Sequence, residues 1–161
     1  MKIGVISDTH MQDASKELSN LILGAFADVS MVLHAGDLTR ISVLEAFSEK
    51  KIVAVCGNMD QYDVTDVLPA KQIVTVEGFR IGLAHGWGSI RGIEERLIAA
   101  FPGVDAIVYG HTHIPANHVK DGILLFNPGS FSSLDQRGAA RSVGLLTVEK
   151  GSGVSGKIIR V

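Results

Sequence analysis

The apolar residues of this chain fall into short runs, rich in valine and isoleucine, that end abruptly at small or polar residues. Runs of this length and composition are typical of buried strands, because β-branched side chains pack well on a pleated surface. We therefore predict strands at residues 3–6, 31–33, 52–55, 81–84, 106–109 and 123–126.

Between some of these runs, apolar residues recur at the spacing of one helix face. The first helical stretch has Asp13 or Ser15 as its cap, and in the second Ser42 and Glu45 have the spacing of a capping box. Pro102-Gly103 ends the third stretch. The apolar positions of the three stretches are, in order, Leu18, Leu21, Ile22, Ala25 and Phe26; Phe47; and Ile93, Leu97, Ile98 and Phe101.

The order of these elements predicts an α/β fold. In the first half, strands alternate with helices, which predicts a parallel sheet with right-handed crossovers. Later segments predict antiparallel pairs, with hairpins across Glu77-Gly78 and Asp121-Gly122 and two final strands at 143–149 and 157–161. We expect mixed sheets covered by helices, and the absence of repeats and linkers predicts one domain over residues 1–161.

Composition and charge narrow the classes of function. The 161 residues carry a formal net charge of -2, which argues against binding to nucleic acid or to an anionic membrane surface. No apolar stretch reaches the roughly 18 residues that a membrane span needs, and the N-terminal run is too short for a signal peptide. The single cysteine excludes an internal disulfide, as is usual in a reducing compartment. We therefore expect a cytoplasmic protein.

Residues with metal-binding side chains directly follow the first five predicted strands. Ligands of open α/β sheets bind outside the carboxyl ends of the strands, so we expect these residues at one edge. Carboxylate, amide and imidazole groups are ligands for hard or borderline divalent cations. The segments are Asp8-Thr9-His10, Gly36-Asp37, Gly57-Asn58-Met59-Asp60, His85-Gly86 and Gly110-His111-Thr112-His113.

Each segment also has an ordinary structural interpretation. Asp8, Asp37 and Asn58 could be turn formers or caps, and His85 could be a hydrogen-bonded residue at a strand end. The pair His111-x-His113 is a stronger signal, because alternate residues of an extended chain project to one side. Taken together the set favours a metal site, since chance would scatter such residues along the strands.

The number of candidate ligands predicts how many ions the site holds. A single tetrahedral zinc needs about four ligands, whereas two ions roughly 3.5–4 Å apart with a bridging carboxylate would use all the candidates. Asp37 is the natural bridge, because it has a second oxygen and lies in a tight Gly-Asp turn. The absence of thiolates favours manganese, iron, zinc or nickel over copper(I). The candidates are Asp8, His10, Asp37, Asn58, His85, His111 and His113.

The order of these segments resembles that of the calcineurin-like metallophosphoesterases, most closely their short, single-domain phosphodiesterase branch. The resemblance extends from Asp8 to the Asn127-Pro128-Gly129-Ser130 turn and so covers nearly the whole chain. It depends on the order of the five blocks, since any single block is common. The fold that it implies is a four-layer α/β/β/α sandwich of two mixed sheets.

The resemblance implies an activity, which is the hydrolysis of a small-molecule phosphate ester, more specifically a phosphodiester. A hydroxide between two divalent ions would attack phosphorus in line with the departing alkoxide. Manganese or nickel is the first expectation for these ions, with zinc or iron as alternatives. The implied ligands are Asp8, His10 and His113 for the first ion, Asp37 as the bridge, and Asn58, His85 and His111 for the second. The catalytic set is Asp37, Asn58 and His85.

Met59 departs from a common family pattern. Many members have a histidine directly after the ligand asparagine, and that histidine is thought to protonate the leaving group. Met59 has no transferable proton. General acid help is typically worth about 10²–10⁴-fold, so we expect alkyl phosphates to be poor substrates.

Several other functions compete with this prediction. A non-catalytic scaffold on the same fold is one, as in the retromer's small metallophosphoesterase-like subunit, although that use usually comes with lost ligands. A metal-dependent amidohydrolase is another, but such enzymes open with His-x-His and this chain opens with Asp8-x-His10. A nuclease or cyclic-nucleotide phosphodiesterase stays open within the phosphoesterase interpretation, as does a homo-oligomer.

Three further residues have softer interpretations. We interpret His34 as a hydrogen-bonded core residue, and Asp60 as a residue whose hydrogen bonds orient a ligand. Trp87 could shape a substrate pocket or simply pack.

Overall fold

Two five-stranded sheets form the framework of the protein. The computed structural model describes residues 1–132 and 140–161. The strands, in chain order, are β1 (Lys2–Ile6), β2 (Met31–His34), β3 (Lys51–Ala54), β4 (Lys71–Val76), β5 (Phe79–Ala84), β6 (Ala106–Val108), β7 (Ala116–Lys120), β8 (Ile123–Asn127), β9 (Ser142–Glu149) and β10 (Gly153–Arg160). The helices are α1 (Lys16–Leu23), a 3₁₀ helix at Ile41–Phe47, α2 (Tyr62–Thr65) and α3 (Ile93–Ala100).

Both sheets are mixed, as predicted. The first has the order β10-β9-β1-β2-β3, in which β1, β2 and β3 are parallel and the final hairpin is antiparallel. The second has the order β4-β5-β6-β8-β7, in which β5, β6 and β8 are parallel. At the two edges of this sheet, β4 pairs antiparallel with β5, and β7 pairs antiparallel with β8. Both predicted hairpins are therefore confirmed.

Three clusters of buried apolar side chains join the sheets and helices into four layers. The two sheets pack on one another through a buried cluster that includes Val5, Leu33, Leu83, Val108 and Phe126. A second cluster joins α1 and the 3₁₀ helix to the outer face of the first sheet, and a third joins α3 to the outer face of the second sheet. The order is therefore α/β/β/α, which confirms the predicted fold class.

The helices follow the predicted stripes but are shorter, because Ala25 and Phe26 lie beyond α1 and Phe101 lies just beyond α3. Ser15 caps α1, and its hydroxyl oxygen accepts the amide of Leu18 at 3.2 Å. The capping box at Ser42 and Glu45 is wrong, because Ser42 lies inside the 3₁₀ helix and its hydroxyl donates instead to the carbonyl of Gln12 at 2.9 Å. Among the described helices, none is long and apolar enough to cross a membrane.

The carboxyl ends of the parallel strands from both sheets meet at one edge. The amide of Asp8, after β1, donates to the carbonyl of Gly36, after β2, at 3.0 Å. The ring of His85, after β5, contacts the Ala35 carbonyl at 2.8 Å, and the amide of Gly110 donates to the His85 carbonyl at 3.0 Å. These links bring the segments after the strands of both sheets into one place.

Candidate metal centre

The backbone of the candidate site turns sharply at the residues that carry the polar side chains. Five candidate ligands have a positive φ of 49–66°, a region that side chains other than glycine seldom occupy. Each such residue costs roughly 1–2 kcal/mol relative to ordinary backbone. Because residues held in this way cluster at functional sites, the strain itself marks this edge as a site. They are Asp8, His10, Asp37, His111 and His113.

Two groups of side chains at this edge are close enough to hold an ion. Donor atoms of Asp8, His10 and His113 all lie within 4.8 Å of one another, and so do those of Asp8, Asp37 and His85. The two groups share Asp8, whose Oδ1 lies 3.1 Å from His113 Nε2 and 3.9 Å from His85 Nε2. The sequence placed these residues at one edge but did not predict that Asp8 would join both groups.

Two buried polar atoms of the site support a cation between the groups. Asp8 Oδ1 and His85 Nε2 have no hydrogen-bond partner among the described residues. The Ala35 carbonyl can only accept a hydrogen bond, so His85 Nδ1 carries a proton, and Nε2 of the neutral ring offers its lone pair to a metal ion. Unpaired buried polar atoms are expensive, and a divalent cation would satisfy both. The residues therefore fit a metal ion.

Asp37 is held so that one of its oxygens stays available. Its Oδ1 accepts the amide of Met59 at 2.8 Å, while its Oδ2 lies 3.2 Å from His85 Nε2 and 3.9 Å from His10 Nε2. Burial acts to raise the pKa of Asp37, but the nearby His85 ring and the Met59 amide hold it below its usual value. Asp37 is thus an ionised carboxylate between donors of both groups.

The same interaction acts on His85 in the opposite sense. Burial acts to lower the pKa of His85, but Asp37 and Asp8 together raise it above the usual value for histidine. The two carboxylates that favour a positive charge on His85 would also stabilise a divalent cation near its Nε2.

Asn58 and His111 reach the site but are turned toward each other. His111 packs edge-on against His85, with ring centroids 5.3 Å apart. Its Nδ1 lies 2.9 Å from Asn58 Oδ1, and its Nε2 lies 2.9 Å from the Gly88 carbonyl. Both ring nitrogens are therefore engaged, and His111 and Asn58 must exchange one of these hydrogen bonds to act as metal ligands.

His34 and Asp60 accept hydrogen bonds from backbone amides in the segments that carry the candidate ligands. His34 is fully buried, accepts the Gly36 amide at Nδ1 and contacts the Thr9 hydroxyl at Nε2, both at 3.2 Å, which confirms it as a hydrogen-bonded core residue. Burial lowers the pKa of His34 to about 3. The carboxylate of Asp60 accepts the amides of Thr39 at 2.6 Å and Gly57 at 2.7 Å, so it ties the segments after β2 and β3 together.

Ser7 orients a candidate ligand and was not predicted from the sequence. Its buried hydroxyl donates to Asp8 Oδ2 at 2.5 Å, which leaves Asp8 Oδ1 facing the histidines. Gly110 lies against this pair, and a Cβ there would come within 2.7 Å of Asp8 Oδ2 and 3.0 Å of the Ala35 carbonyl. The only signal in the sequence is a serine at the end of a buried strand, directly before a candidate ligand.

Replacing Ser7 with alanine should weaken metal binding by roughly 10–100-fold, because the Asp8 carboxylate loses the hydrogen bond that fixes its orientation. Calorimetric titration of the metal-free protein with Mn²⁺ measures the effect. Ser142→Ala is the matched control, since Ser142 is equally buried but its hydroxyl donates to the Pro128 carbonyl at 2.7 Å. Equal losses in both variants, or no loss in Ser7→Ala, would contradict the role of Ser7.

Comparison with known proteins agrees with this geometry. Residues 1–151 match the family model of the calcineurin-like phosphoesterase superfamily domain. A probable metallophosphoesterase of Methanothermobacter thermautotrophicus is 39% identical over 132 residues, which are 81% of this chain and 77% of the relative. A probable metallophosphoesterase of Bacillus subtilis is 31% identical over 157 residues, which are 92% of this chain and 85% of the relative.

Solved structures share the fold over the full length. An archaeal phosphodiesterase superposes with a TM-score of 0.78 at 25% identity and covers 100% of both chains. Vps29 of Entamoeba histolytica in complex with zinc has a TM-score of 0.74 at 22% identity, covering 99% of both chains, and shows the fold alone. With the matched family model and these relatives, the chain belongs to the calcineurin-like phosphoesterase superfamily.

Proposed function

We propose that this protein is a cytoplasmic phosphodiesterase that uses two divalent metal ions to hydrolyse a small-molecule phosphate diester. The observation that carries the proposal is the pair of ligand groups that share the buried Asp8 carboxylate. Two ions bound there would polarise the phosphoryl oxygens and supply a water-derived nucleophile, a bridging hydroxide.

The proposed ligand assignment keeps the first group whole and takes Asp37 of the second group as the bridge. Asp8, His10 and His113 hold the first ion, and their donor atoms form one of the two close groups. His85 belongs to the second ion, together with Asn58 and His111 once these exchange a hydrogen bond. Asp37 would be the bridging ligand, since its Oδ2 lies 3.9 Å from His10 Nε2 and 3.2 Å from His85 Nε2.

The protein's own residues do the positioning in this proposal. Asp37 keeps its negative charge through the Met59 amide and His85, so it can hold two cations close together. The Ala35 carbonyl fixes the tautomer of His85. Asn58 and His85 would flank the phosphoryl group, which makes these two residues and Asp37 the proposed catalytic set.

The donor set also bears on which metal is used. Carboxylate, amide and imidazole groups without thiolate suit manganese and nickel, and zinc and iron remain alternatives. The zinc complex of Vps29 shares the fold, so zinc is a reasonable ion to test beside manganese.

A non-catalytic scaffold is the principal competing function. The Vps29 structures share this fold at low identity, and fold alone does not determine function. The presence of all seven candidate ligands favours catalysis, because scaffold use of this fold usually comes with lost ligands. A diester substrate is preferred to a monoester because an archaeal phosphodiesterase matches the chain over its full length.

Chelation should abolish hydrolysis, and manganese or nickel should restore it. The physical reason is that the proposed ligands are oxygen and imidazole groups, which suit both ions. The measurement is the hydrolysis of bis(p-nitrophenyl) phosphate, with elemental analysis of each sample. Full activity in protein shown to be free of metal would refute the proposed mechanism.

Asp37→Asn should lose more activity than His113→Ala or His85→Ala, because it removes the charge proposed to be shared by both ions. The amide oxygen of asparagine can still accept the Met59 amide, so the local backbone should survive. The comparison is of kcat at saturating manganese, with thermal unfolding as the test of folding. Nearly normal kcat in Asp37→Asn would show that Asp37 does not bridge.

Met59→His should raise the rate on alkyl leaving groups by about tenfold, because it supplies a proton donor beside Asn58. The Met59 side chain is 58% exposed, so the replacement lies outside the core and has room at the surface. Nitrophenyl esters should change little, since nitrophenolate leaves without a proton. Met59→Leu is the control for shape. An unchanged ratio of alkyl to nitrophenyl rates in fully metallated Met59→His would contradict this role.

A further inference from the structure

Exposed apolar side chains are concentrated around the candidate metal centre. Among the described residues, five of the ten large apolar side chains that are exposed lie within eight residues of the carboxyl end of β3, β5 or β6. The same segments carry Asn58, His85, His111 and His113. Single exposed apolar residues are ordinary, but a contiguous group beside a cleft marks a binding surface. The five are Met59, Tyr62, Trp87, Ile90 and Ile114.

The ring of His111 connects two of these segments. One ring nitrogen lies 2.9 Å from Asn58 Oδ1, and the other lies 2.9 Å from the Gly88 carbonyl. Because one imidazole spans this gap, Met59 and Trp87 each lie next to a residue that contacts the same ring. Met59 and Trp87 are therefore carried by segments that border the metal centre.

A groove continues this surface on the side of α3. Its volume is about 300 Å³, and its apolar lining includes Ile90, Ile93, Tyr109 and Ile114. Thr112, which lies between His111 and His113, also lines it. Since Ile114 directly follows His113, the groove begins at the segment that carries two candidate ligands.

Arg96 holds the segment that carries Trp87 in place. Its guanidinium donates to the carbonyls of Trp87 at 2.8 Å and Arg91 at 3.1 Å, and also to that of Ser89. These hydrogen bonds fix the backbone on both sides of Ile90. Trp87 and Ile90 are therefore presented to solvent by an ordered backbone, and a ligand meets a surface that is already formed.

From these observations, and resting on the proposed function, we propose that Met59, Trp87, Ile90 and Ile114 form an apolar rim that binds an ester group of the substrate. The protein would then select phosphate diesters with an aromatic or similarly apolar ester group. Continuity with the metal centre identifies the occupant, because a diester held there must extend at least one ester group across the rim. A small polar ester group would gain little from these side chains.

The single tryptophan of the chain makes the rim directly observable. Trp87 fluorescence of the zinc-loaded protein is titrated with diphenyl phosphate and with dimethyl phosphate, since zinc is a d¹⁰ ion without redox activity. We expect a saturable change in emission with the diphenyl ester and none with the dimethyl ester over the same concentrations. No response to diphenyl phosphate would overturn the rim.

Kinetics with matched substrates test the same surface independently. Bis(p-nitrophenyl) phosphate and methyl p-nitrophenyl phosphate share a leaving group and differ in the remaining ester group. Trp87→Ala should raise KM for the bis-aryl ester by about tenfold, the effect of one lost aromatic contact, and should change the methyl ester much less. Trp87→Phe should restore most of the preference, and Ile114→Ala should weaken it.

The control variant is Leu23→Ala at the end of α1, where Leu23 is 79% exposed and belongs to none of the segments at the metal centre. It should leave both esters unaffected. An unchanged preference in Trp87→Ala, with diester hydrolysis intact, would refute the rim and leave the phosphodiesterase proposal standing. A Trp87 response to diphenyl phosphate in a protein that hydrolyses no diester would support the rim and refute the phosphodiesterase. A rim that binds a protein partner instead would show neither response.

Discussion

Two carboxylates buried at one edge of the two sheets are the constraint on which the site depends. Asp8 is fully buried and Asp37 nearly so, and both approach the Nε2 of His85. Charges buried this close require a compensating cation, because neither water nor the apolar core can stabilise them. Divalent ions bound beside these carboxylates would meet this need.

The backbone at this edge links the stability of the fold to occupancy of the site. Five candidate ligands are held in a left-handed conformation, at roughly 1–2 kcal/mol each. Hydrogen bonds between segments, such as His10 N to the Asp37 carbonyl at 3.1 Å, hold these residues in that conformation. An ion that binds only the folded chain would stabilise it further. The strained backbone thus holds the candidate ligands in position before an ion binds.

The sequence predicted the strands and the edge well, because both depend on local pattern. Buried β-branched runs identified the parallel strands, and polar residues after them identified the edge. The hydrogen bonds within the site were not predictable, since they join residues distant in the chain. The role of Ser7 is visible only when Gly110 is placed against it. The contact between Asn58 and His111 is visible only when the two sheets are packed together. Ser42 was misassigned for the same reason, because its partner Gln12 lies on another segment.

Met59 connects the chemistry of the leaving group to the shape of the site. Its backbone amide supports Asp37, while its exposed side chain offers apolar contact and no proton. A phenolate leaves without protonation far more readily than an alkoxide, so a site without a proton donor favours aryl esters on chemical grounds. An apolar rim at Met59 and Trp87 favours the same esters by binding. Leaving-group acidity and apolar contact are separate physical properties, and both lead to the same proposed substrate class, the aryl esters.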